Sequence, residues 1–433
     1  MKYDFLILGA SGMQGKIVAR DLLERGYKIL LADLYKEGSL KNLKRFPNQA
    51  KFSFIDLRRI GQTVELIKKS GADVVINCAE CDWNLNVYKA ALKTRRHIID
   101  LDSDLPTTKI QLALDNDFRR RNLTAITGCG STPGINNVML RYASQFFDTI
   151  ETINAGFAWD SNIKKFVTPF CIPTVLWEFI QPAPIIEDGR WFEKKPLETI
   201  IEMELRGVGR QKCFIVEHAE TLTFHHYFKN RGLKNIRFFA GFPQHTVKVV
   251  LALIEANMTL PDYVIIDDKN GLKAKIWPAD VIAKVMEAIP YPEGYTETEN
   301  LWVEIWGKNG DGRMKRIVME CLVPPLPGWE DAGCNIDTGF PAAIIAQMIK
   351  DGRISRRGSF SPEAEKLVPV EEFYKELRQR GLLVYQNGKL INGDEMVEAP
   401  VKVEEATTMI TNGSKTNGRK TLVKPAVGMP DLL

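Results

Sequence analysis

Three glycines stand at three-residue intervals near the start of the chain, in the segment LILGASGMQG. They follow an apolar run and precede an amphipathic one, which places them between a strand and a helix. Glycines at such a junction let the backbone turn tightly and approach a pyrophosphate, whose charge then lies at the helix amino terminus. The segment predicts a dinucleotide-binding loop with these contact residues: Gly9, Ser11, Gly12, Met13, Gln14 and Gly15.

Polar side chains at the ends of the next strands extend this prediction. Asp33 ends the second strand, 24 residues after Gly9, where its carboxylate can accept hydrogen bonds from an adenosine ribose. Its charge favours NAD over NADP, but Lys36 is close enough to alter that preference, so the choice between NAD and NADP stays open. Asp56 could meet the adenine edge or simply cap the third strand. The residues expected on the nicotinamide side end the fourth strand: Asn77, Cys78 and Ala79.

Three residues are candidates for catalysis. His218 lies two residues before Glu220 on a segment that we expect to be extended, so the two side chains could share a face and transfer a proton. Asp102 follows the fifth strand, at the sheet edge where ligands bind, but it could instead cap the helix that begins near Thr107. Cys129, within TGCGSTPGINN, could touch the substrate or the nicotinamide, or could be a buried, inert thiol.

No metal site is predicted. Cys78 and Cys81 form a single C-x-x-C pair without a second pair at zinc-ligand spacing, and adjacent His225 and His226 would point to different sides. The net charge of +4 on 433 residues is too small to indicate nucleic acid as a partner. Neither a membrane helix nor a signal or transit peptide fits the sequence. We expect a cytoplasmic protein whose thiols are reduced and whose partners are small molecules and a second copy of itself.

Alternating elements must position these residues. Between residues 3 and 133, short apolar runs alternate with amphipathic segments, which predicts a doubly wound parallel α/β sheet, a Rossmann NAD(P)-binding domain over residues 1–133. Period-two strands in residues 134–333, with a hairpin at KNGDGR, predict a mixed α+β domain. Residues 334–392 predict helices, one of them following Pro341, and residues 393–433 predict a disordered tail.

Several segments together resemble the saccharopine dehydrogenase family, which includes carboxynorspermidine and homospermidine synthase-type enzymes. They are GASGMQG, VVINCA, GCGSTPGINNVML, PTVLWEFIQPAPIIEDGRW, TGFPAAIIAQMIKDGRI with GSFSPE, and VPVEEFYKELRQRG. The resemblance implies a substrate and dimerisation domain after the PG turn, C-terminal helices that return to the Rossmann domain, and assembly as a homodimer. It also implies reversible imine reduction, with hydride exchanged between a nicotinamide and a C–N bond of an amino-acid or polyamine conjugate.

That implied chemistry needs an acid or base for the amine nitrogen, either Asp102 or His218, and cationic groups for substrate carboxylates. Arg206, Arg210 and Arg237 are available for the second task. The substrates would be an amine and an oxo acid or aldehyde. Two alternatives stay open: a homospermidine synthase-like transferase that uses NAD without net redox change, and a non-catalytic dinucleotide-binding protein. Net consumption of NAD(P)H would separate the transferase from the oxidoreductase.

Overall fold

The computed structural model describes residues 2–259, 262–267, 271 and 273–393, so the predicted tail lies outside the described residues beyond Gly393. The first part of the chain contains β1 (Phe5–Leu8), α1 (Met13–Glu24), β2 (Ile29–Asp33), α2 (Leu40–Arg45), β3 (Ala50–Phe54), α3 (Ile60–Ser70), β4 (Val74–Asn77), α4 (Asn84–Thr94), β5 (His97–Asp100), α5 (Leu105–Ala113), α6 (Asp115–Arg120), β6 (Thr124–Ile126) and α7 (Ile135–Ser144).

Strands β1 to β6 form one parallel sheet in the order β6-β5-β4-β1-β2-β3. Helices cover both faces, so the central strands are apolar throughout; all four residues of β1 are buried. A seventh strand, Gly358–Phe360, comes from the C-terminal part of the chain and pairs in parallel with β6. This sheet confirms the predicted doubly wound fold.

The segment from Thr107 to Asn122, which the sequence predicts as one helix, is broken at Leu114 into α5 and α6. Asp115 begins the second helix, and its side chain accepts a 3.0 Å hydrogen bond from the Ser359 N–H of the seventh strand. The break therefore places Asp115 where its side chain can bond to the seventh strand, which is far from it in sequence.

The middle of the chain forms a second, mixed sheet with helices around it. The elements of this part of the chain are β7 (Thr149–Ser161), α8 (Ile172–Ile180), β8 (Ala183–Glu187), β9 (Arg190–Lys194), β10 (Ile200–Leu205), β11 (Gly209–Ile215), α9 (Glu220–Phe228), β12 (Asn235–Gly241), α10 (Gln244–Glu255), β13 (Val264–Asp267), β14 (Lys273–Ile276), α11 (Pro278–Glu287), β15 (Glu297–Lys308) and β16 (Met314–Val323). Strands β13 and β14 form a separate two-stranded sheet. The order β10-β11-β12-β7-β15-β16 contains one parallel pair, β7 with β12, and β15 and β16 form the predicted hairpin.

The C-terminal segment enters both sheets. It contains α12 (Ile336–Lys350), β17 (Gly358–Phe360), α13 (Val370–Gln379), β18 (Leu383–Gln386) and β19 (Lys389–Leu390). Helix α12 packs against α1, β4 and β5, while β18 pairs with β16 of the second sheet. Arg380, which follows α13, donates two hydrogen bonds of 2.9 Å to the buried carboxylate of Asp21 in α1.

The predicted start of α12 near Pro341 is wrong. The helix begins five residues earlier, at Ile336, and Pro341 lies inside it. Proline is tolerated there at the cost of one backbone hydrogen bond, because it lacks the N–H that would bond to the Asp337 carbonyl. The early start has a consequence for the site, since it places the Asp337 side chain in the first turn of a buried helix. No helix in the described part of the chain has the length and apolar content needed to cross a membrane.

Candidate active site

The glycine loop forms a cradle that larger residues could not line. Gly9 has φ +70°, and a Cβ there would lie 2.5 Å from the backbone nitrogen of Ala79. A Cβ on Gly15 would lie 2.1 Å from the Gly9 carbonyl oxygen. Gly12 precedes α1 and offers no side chain to cap its first N–H groups, which stay available to an anion. These features fit a dinucleotide pyrophosphate.

Asp33 is fixed against this loop at the end of β2. Its Oδ2 accepts a 2.9 Å hydrogen bond from the Ser11 N–H, and its Oδ1 accepts one of 3.2 Å from the Tyr35 N–H. The Ser11 hydroxyl donates to the Tyr35 carbonyl at 2.6 Å, so the segment after β2 folds back onto the loop. The Lys36 ammonium lies 6.0 Å from the centre of the Phe52 ring. The carboxylate is therefore held in place beside the loop, as ribose recognition requires.

Asp56, after β3, binds the guanidinium of Arg58 through both carboxylate oxygens, at 2.8 and 2.9 Å. The hydrogen bonds from Arg58 hold the pKa of the Asp56 carboxyl below its ordinary value. This contact fits the second of the two interpretations of Asp56, in which its side chain caps the end of the third strand. A role at the adenine edge stays a prediction.

The end of β4 contacts the glycine loop from the other side. Asn77 is buried and donates a 2.5 Å hydrogen bond to the side chain of Asn84. The Gly9 backbone packs directly on the peptide that joins Cys78 to Ala79, and burial raises the pKa of the Cys78 thiol. These placements are compatible with the predicted nicotinamide side, although Asn77 is engaged in holding its own loop.

Asp102 does not reach the cavity described below. It is 4% exposed, its Oδ1 accepts a hydrogen bond from the Asp104 N–H, and its carboxylate also interacts with the side chain of Asn84. Burial, then the charge of Asp100, raises the pKa of Asp102 to about 8. The cap of α5 is Asp104, which accepts a 2.8 Å hydrogen bond from the Thr107 N–H. Asp104 therefore takes the capping role that the sequence considered for Asp102, and a catalytic role of Asp102 stays a prediction.

Cys129 is fully buried and its thiol donates to the Ile126 carbonyl at 3.4 Å. Burial raises its pKa well above the ordinary value, so the reactive thiolate is disfavoured. The predicted catalytic contact is therefore not supported, and the inert-thiol alternative describes the placement. In the turn that follows Cys129, Gly134 has no room for a side chain, because a Cβ there would lie 1.8 Å from the Gly130 carbonyl oxygen.

A cavity of about 220 Å³ opens beside the glycine loop. Met13 and Gln14 of α1 line it, together with residues that follow β5 and β6 and with side chains from the second sheet and its helices. Its neutral lining includes these side chains: Ser103, Ser131, Thr132, Phe157, Trp159 and Phe170. The cavity therefore lies between the predicted dinucleotide site and the second sheet, where a substrate could meet the cofactor.

His218 lines this cavity and forms a pair with Glu220. Their side chains meet at 2.5 Å, from Nδ1 to Oε2, and the imidazole stacks on Phe238 with ring centres 4.1 Å apart. Burial lowers the pKa of His218, but nearby carboxylates, that of Glu220 foremost, outweigh this and raise it above its ordinary value. The predicted pairing is present, but the segment is not extended: Glu220 is the first residue of α9.

Four carboxyl groups also line the cavity: Glu178 of α8, Glu297 and Glu299 of β15, and Asp337 of α12. Burial raises the pKa of Glu178 to about 8. Burial and the neighbouring carboxyl also raise the pKa of Glu299, which is hydrogen-bonded to Asp337. The cavity is therefore acidic, with several carboxyls that hold protons more tightly than usual.

Among the described residues, no lysine or arginine lines this cavity. The arginines considered for substrate carboxylates are bound to acidic side chains elsewhere: Arg206 to Glu320, Arg210 to Glu202 and Arg237 to Glu187. The expectation of an arginine at the substrate is thus not met by these three residues.

Sequence reasoning missed the acidic lining, although signals for it exist. Glu178 is the one charged residue in the otherwise apolar helix IPTVLWEFI. Glu297 and Glu299 are two residues apart in a strand, so they point to the same face. Only the fold could show that α8, β15 and α12 meet at one cavity.

The glycine cradle, the fixed Asp33 and the parallel sheet define a dinucleotide-binding oxidoreductase whose cofactor is a nicotinamide dinucleotide. Residues 5–126 match the saccharopine dehydrogenase NADP binding domain, and residues 130–382 match the saccharopine dehydrogenase C-terminal domain. The chain belongs to the saccharopine dehydrogenase family, which confirms the resemblance seen in its motifs.

Two relatives cover most of the chain. Carboxyaminopropylagmatine dehydrogenase of Synechocystis sp. is 27% identical over 399 residues, covering 87% of this chain and 96% of the relative. Carboxynorspermidine synthase of Vibrio alginolyticus is 23% identical over 342 residues, covering 74% and 80%. The fold matches apo saccharopine dehydrogenase (L-Glu forming) of Saccharomyces cerevisiae with a TM-score of 0.70 at 15% identity, over 90% of this chain and 100% of that one.

Proposed function

We propose that the protein is an NAD(P)H-dependent oxidoreductase that reversibly reduces the imine formed between the amine of an amino-acid or polyamine conjugate and a carbonyl compound. The observation that carries this proposal is that His218, whose side chain is paired with Glu220, lines the same cavity as Met13 and Gln14 of the glycine-loop helix. A bound reduced nicotinamide supplies hydride to the imine carbon while the nitrogen takes a proton, giving a secondary amine and the oxidised dinucleotide.

His218 has the placement and charge of a general acid for that nitrogen. Glu220 holds Nδ1, so Nε2 is the ring nitrogen that can face a substrate. The raised pKa means that the imidazole is protonated to a greater extent at neutral pH than an ordinary histidine. Stacking on Phe238 and the contact with Glu220 restrict the ring to one orientation, which lowers the entropy cost of proton transfer.

The acidic lining supports an amine as substrate. Carboxylates attract a protonated amine, and the aromatic side chains Phe157, Trp159 and Phe170 offer apolar surface to the methylene groups between its nitrogens. The names of the two relatives, a carboxyaminopropylagmatine dehydrogenase and a carboxynorspermidine synthase, favour a polyamine conjugate over an amino-acid conjugate.

The test is to incubate the protein with NADH or NADPH, pooled amines, and oxo acids or semialdehydes, and to follow dinucleotide oxidation together with product mass. One reduced conjugate should form for each dinucleotide oxidised. His218→Gln should lower kcat by roughly 100-fold or more without changing dinucleotide affinity, because it removes the proton donor alone.

His225→Gln is the matched control, because His225 lies against Trp191, with ring centres 5.4 Å apart, and does not line the cavity. It should keep normal turnover. Conjugate formation without net dinucleotide oxidation would instead establish amine exchange. Normal turnover of His218→Gln would contradict the assignment of the proton donor, and dinucleotide binding without any amine turnover would contradict the proposed function.

A further inference from the structure

The carboxyls of the cavity form a series that leads away from His218. Glu178 is close enough to His218 for each to shift the pKa of the other. Glu299 is in turn close to Glu178, and its side chain is hydrogen-bonded to that of Asp337. Carboxyl groups therefore neighbour one another from the predicted proton donor to the pair formed by Glu299 and Asp337, so a ligand with several cationic groups could meet more than one of them.

One member of this series lacks the partner that a buried charge needs. Glu178 is 5% exposed and lines the cavity, yet its Oε2 has no hydrogen-bond partner among the described residues. None of the four cavity carboxyls has an ion-pair partner in the described part of the chain. An unpaired buried carboxylate is costly, which raises the pKa of Glu178, and a cationic ligand would supply the partner that lets this carboxyl ionise.

The pair formed by Glu299 and Asp337 holds a proton. Two ionised carboxylates are both acceptors, so the hydrogen bond between them requires one proton. The titratable groups that face the pair are Glu297 on the same strand, Glu178 of α8, Cys321 of β16, and Cys334 in the turn before α12. These neighbours are acidic or neutral, which favours keeping that proton until a cation arrives.

We propose that Glu299 and Asp337 bind the distal cationic group of the substrate, an ammonium or a guanidinium, and that its arrival releases the proton that the two carboxyls share. The inference rests on the proposed function, because it locates the end of that substrate farthest from the reacting nitrogen. The released proton goes to solvent, and the cation neutralises the charge that the proton leaves behind. Glu297 is held beside the pair by a 3.0 Å hydrogen bond from the Cys334 N–H.

Calorimetric titration of the dinucleotide-loaded protein tests this directly. The probes are norspermidine, whose charges are all ammonium groups, agmatine, which carries a guanidinium, and propylamine, which has one charge. Each is titrated near neutral pH in phosphate and in MOPS, which differ in heat of ionisation and carry no primary ammonium group. Norspermidine or agmatine should bind with release of up to about one proton, and the probe with the stronger linkage identifies the preferred cation. Propylamine should bind more weakly than either.

Glu299→Gln separates proton release from folding. Glutamine can keep the hydrogen bond to Asp337 but removes one of the two carboxyls that share the proton, so fewer protons should be released than in the unmodified protein and affinity should fall about tenfold or more. Glu304→Gln is the control on the same strand, because Glu304 pairs with Arg316 and does not line the cavity. It should bind norspermidine as the unmodified protein does. Retained dinucleotide affinity in both variants shows that they are folded.

The outcomes distinguish this inference from the proposed function, because the titration needs no turnover. Binding with proton release in a protein that reduces no imine would support the subsite and reject the reaction. Imine reduction together with amine binding that releases no proton would overturn the subsite and leave the reaction standing. Failure of both norspermidine and agmatine to bind, or an unchanged buffer dependence in Glu299→Gln, would also overturn it.

Discussion

Replacing Glu178 with glutamine should make the stability of the protein less dependent on pH. Burial raises the pKa of Glu178 from 4.5 to about 8 in the folded protein. Between these two values the folded protein holds a proton that the unfolded chain has lost, so the free energy of unfolding falls as pH rises. Glu178→Gln keeps the shape of the side chain and removes its titration, so this part of the fall should disappear.

The size of the effect follows from the two pKa values. From about pH 5 to about pH 7 the folded protein holds nearly one extra proton at Glu178, and each pH unit then changes the free energy of unfolding by about 1.4 kcal/mol. The wild-type protein should therefore lose about 2 kcal/mol relative to Glu178→Gln over this interval. Above about pH 8 both states are ionised and the difference should level off.

Urea unfolding followed by tryptophan fluorescence, in buffers free of amines, measures this difference. The midpoints of wild-type and Glu178→Gln protein are compared at several pH values between these limits. Glu65→Gln, at an exposed position of α3, is the control and should follow the wild-type protein. Parallel pH profiles for wild-type and Glu178→Gln protein would refute the reasoning, because they would mean that Glu178 is already ionised in the folded cavity.

Three further predictions concern the cofactor and the junction. Gly15→Ala should abolish dinucleotide binding, measured by calorimetry, whereas Gly12→Ala should bind measurably, because the added Cβ would lie 2.1 Å from the Gly9 carbonyl oxygen in the first case and 3.3 Å in the second. Equal affinities would contradict the cradle geometry. Asp33→Ser should raise affinity for NADPH relative to NADH by about tenfold or more, since it removes the charge that repels a 2′-phosphate; an unchanged ratio would show that Asp33 does not select the cofactor. Cys129→Ala should leave kcat unchanged and reduce stability by about 1 to 2 kcal/mol through a small core cavity, and a loss of turnover with intact dinucleotide affinity would restore the catalytic interpretation.

Local patterns were enough to predict the first sheet. Its strands are short apolar runs, because they are buried on both faces, and its helices are amphipathic, because each packs one face on the sheet. Strands β17 and β18 were not predicted, because their partners, β6 and β16, are more than 60 residues away. Strand β19 has two residues and pairs with β18. The start of α12 was also misread, because Pro341 is a common start signal that tertiary packing overrode.

Only the parts of the site whose residues are near each other in the sequence were predicted. The glycine loop and Asp33 form one local unit whose spacing reveals it, and His218 and Glu220 are near neighbours in the chain. Glu178, Glu299 and Asp337 are far apart in sequence, and each by itself is an ordinary acidic residue. Their shared cavity could not be predicted without knowing which elements pack together.

The sequence by itself determined the family, the doubly wound sheet and the dinucleotide loop, because these depend on periodicity and on glycines a few residues apart. Only the tertiary structure decided which polar residues meet. It buried Asp102 and Cys129 and brought four carboxyls from three distant elements to the wall of one cavity. The reason is that burial and charge proximity, which set the pKa of each group, are properties of the packed chain and have no local signature.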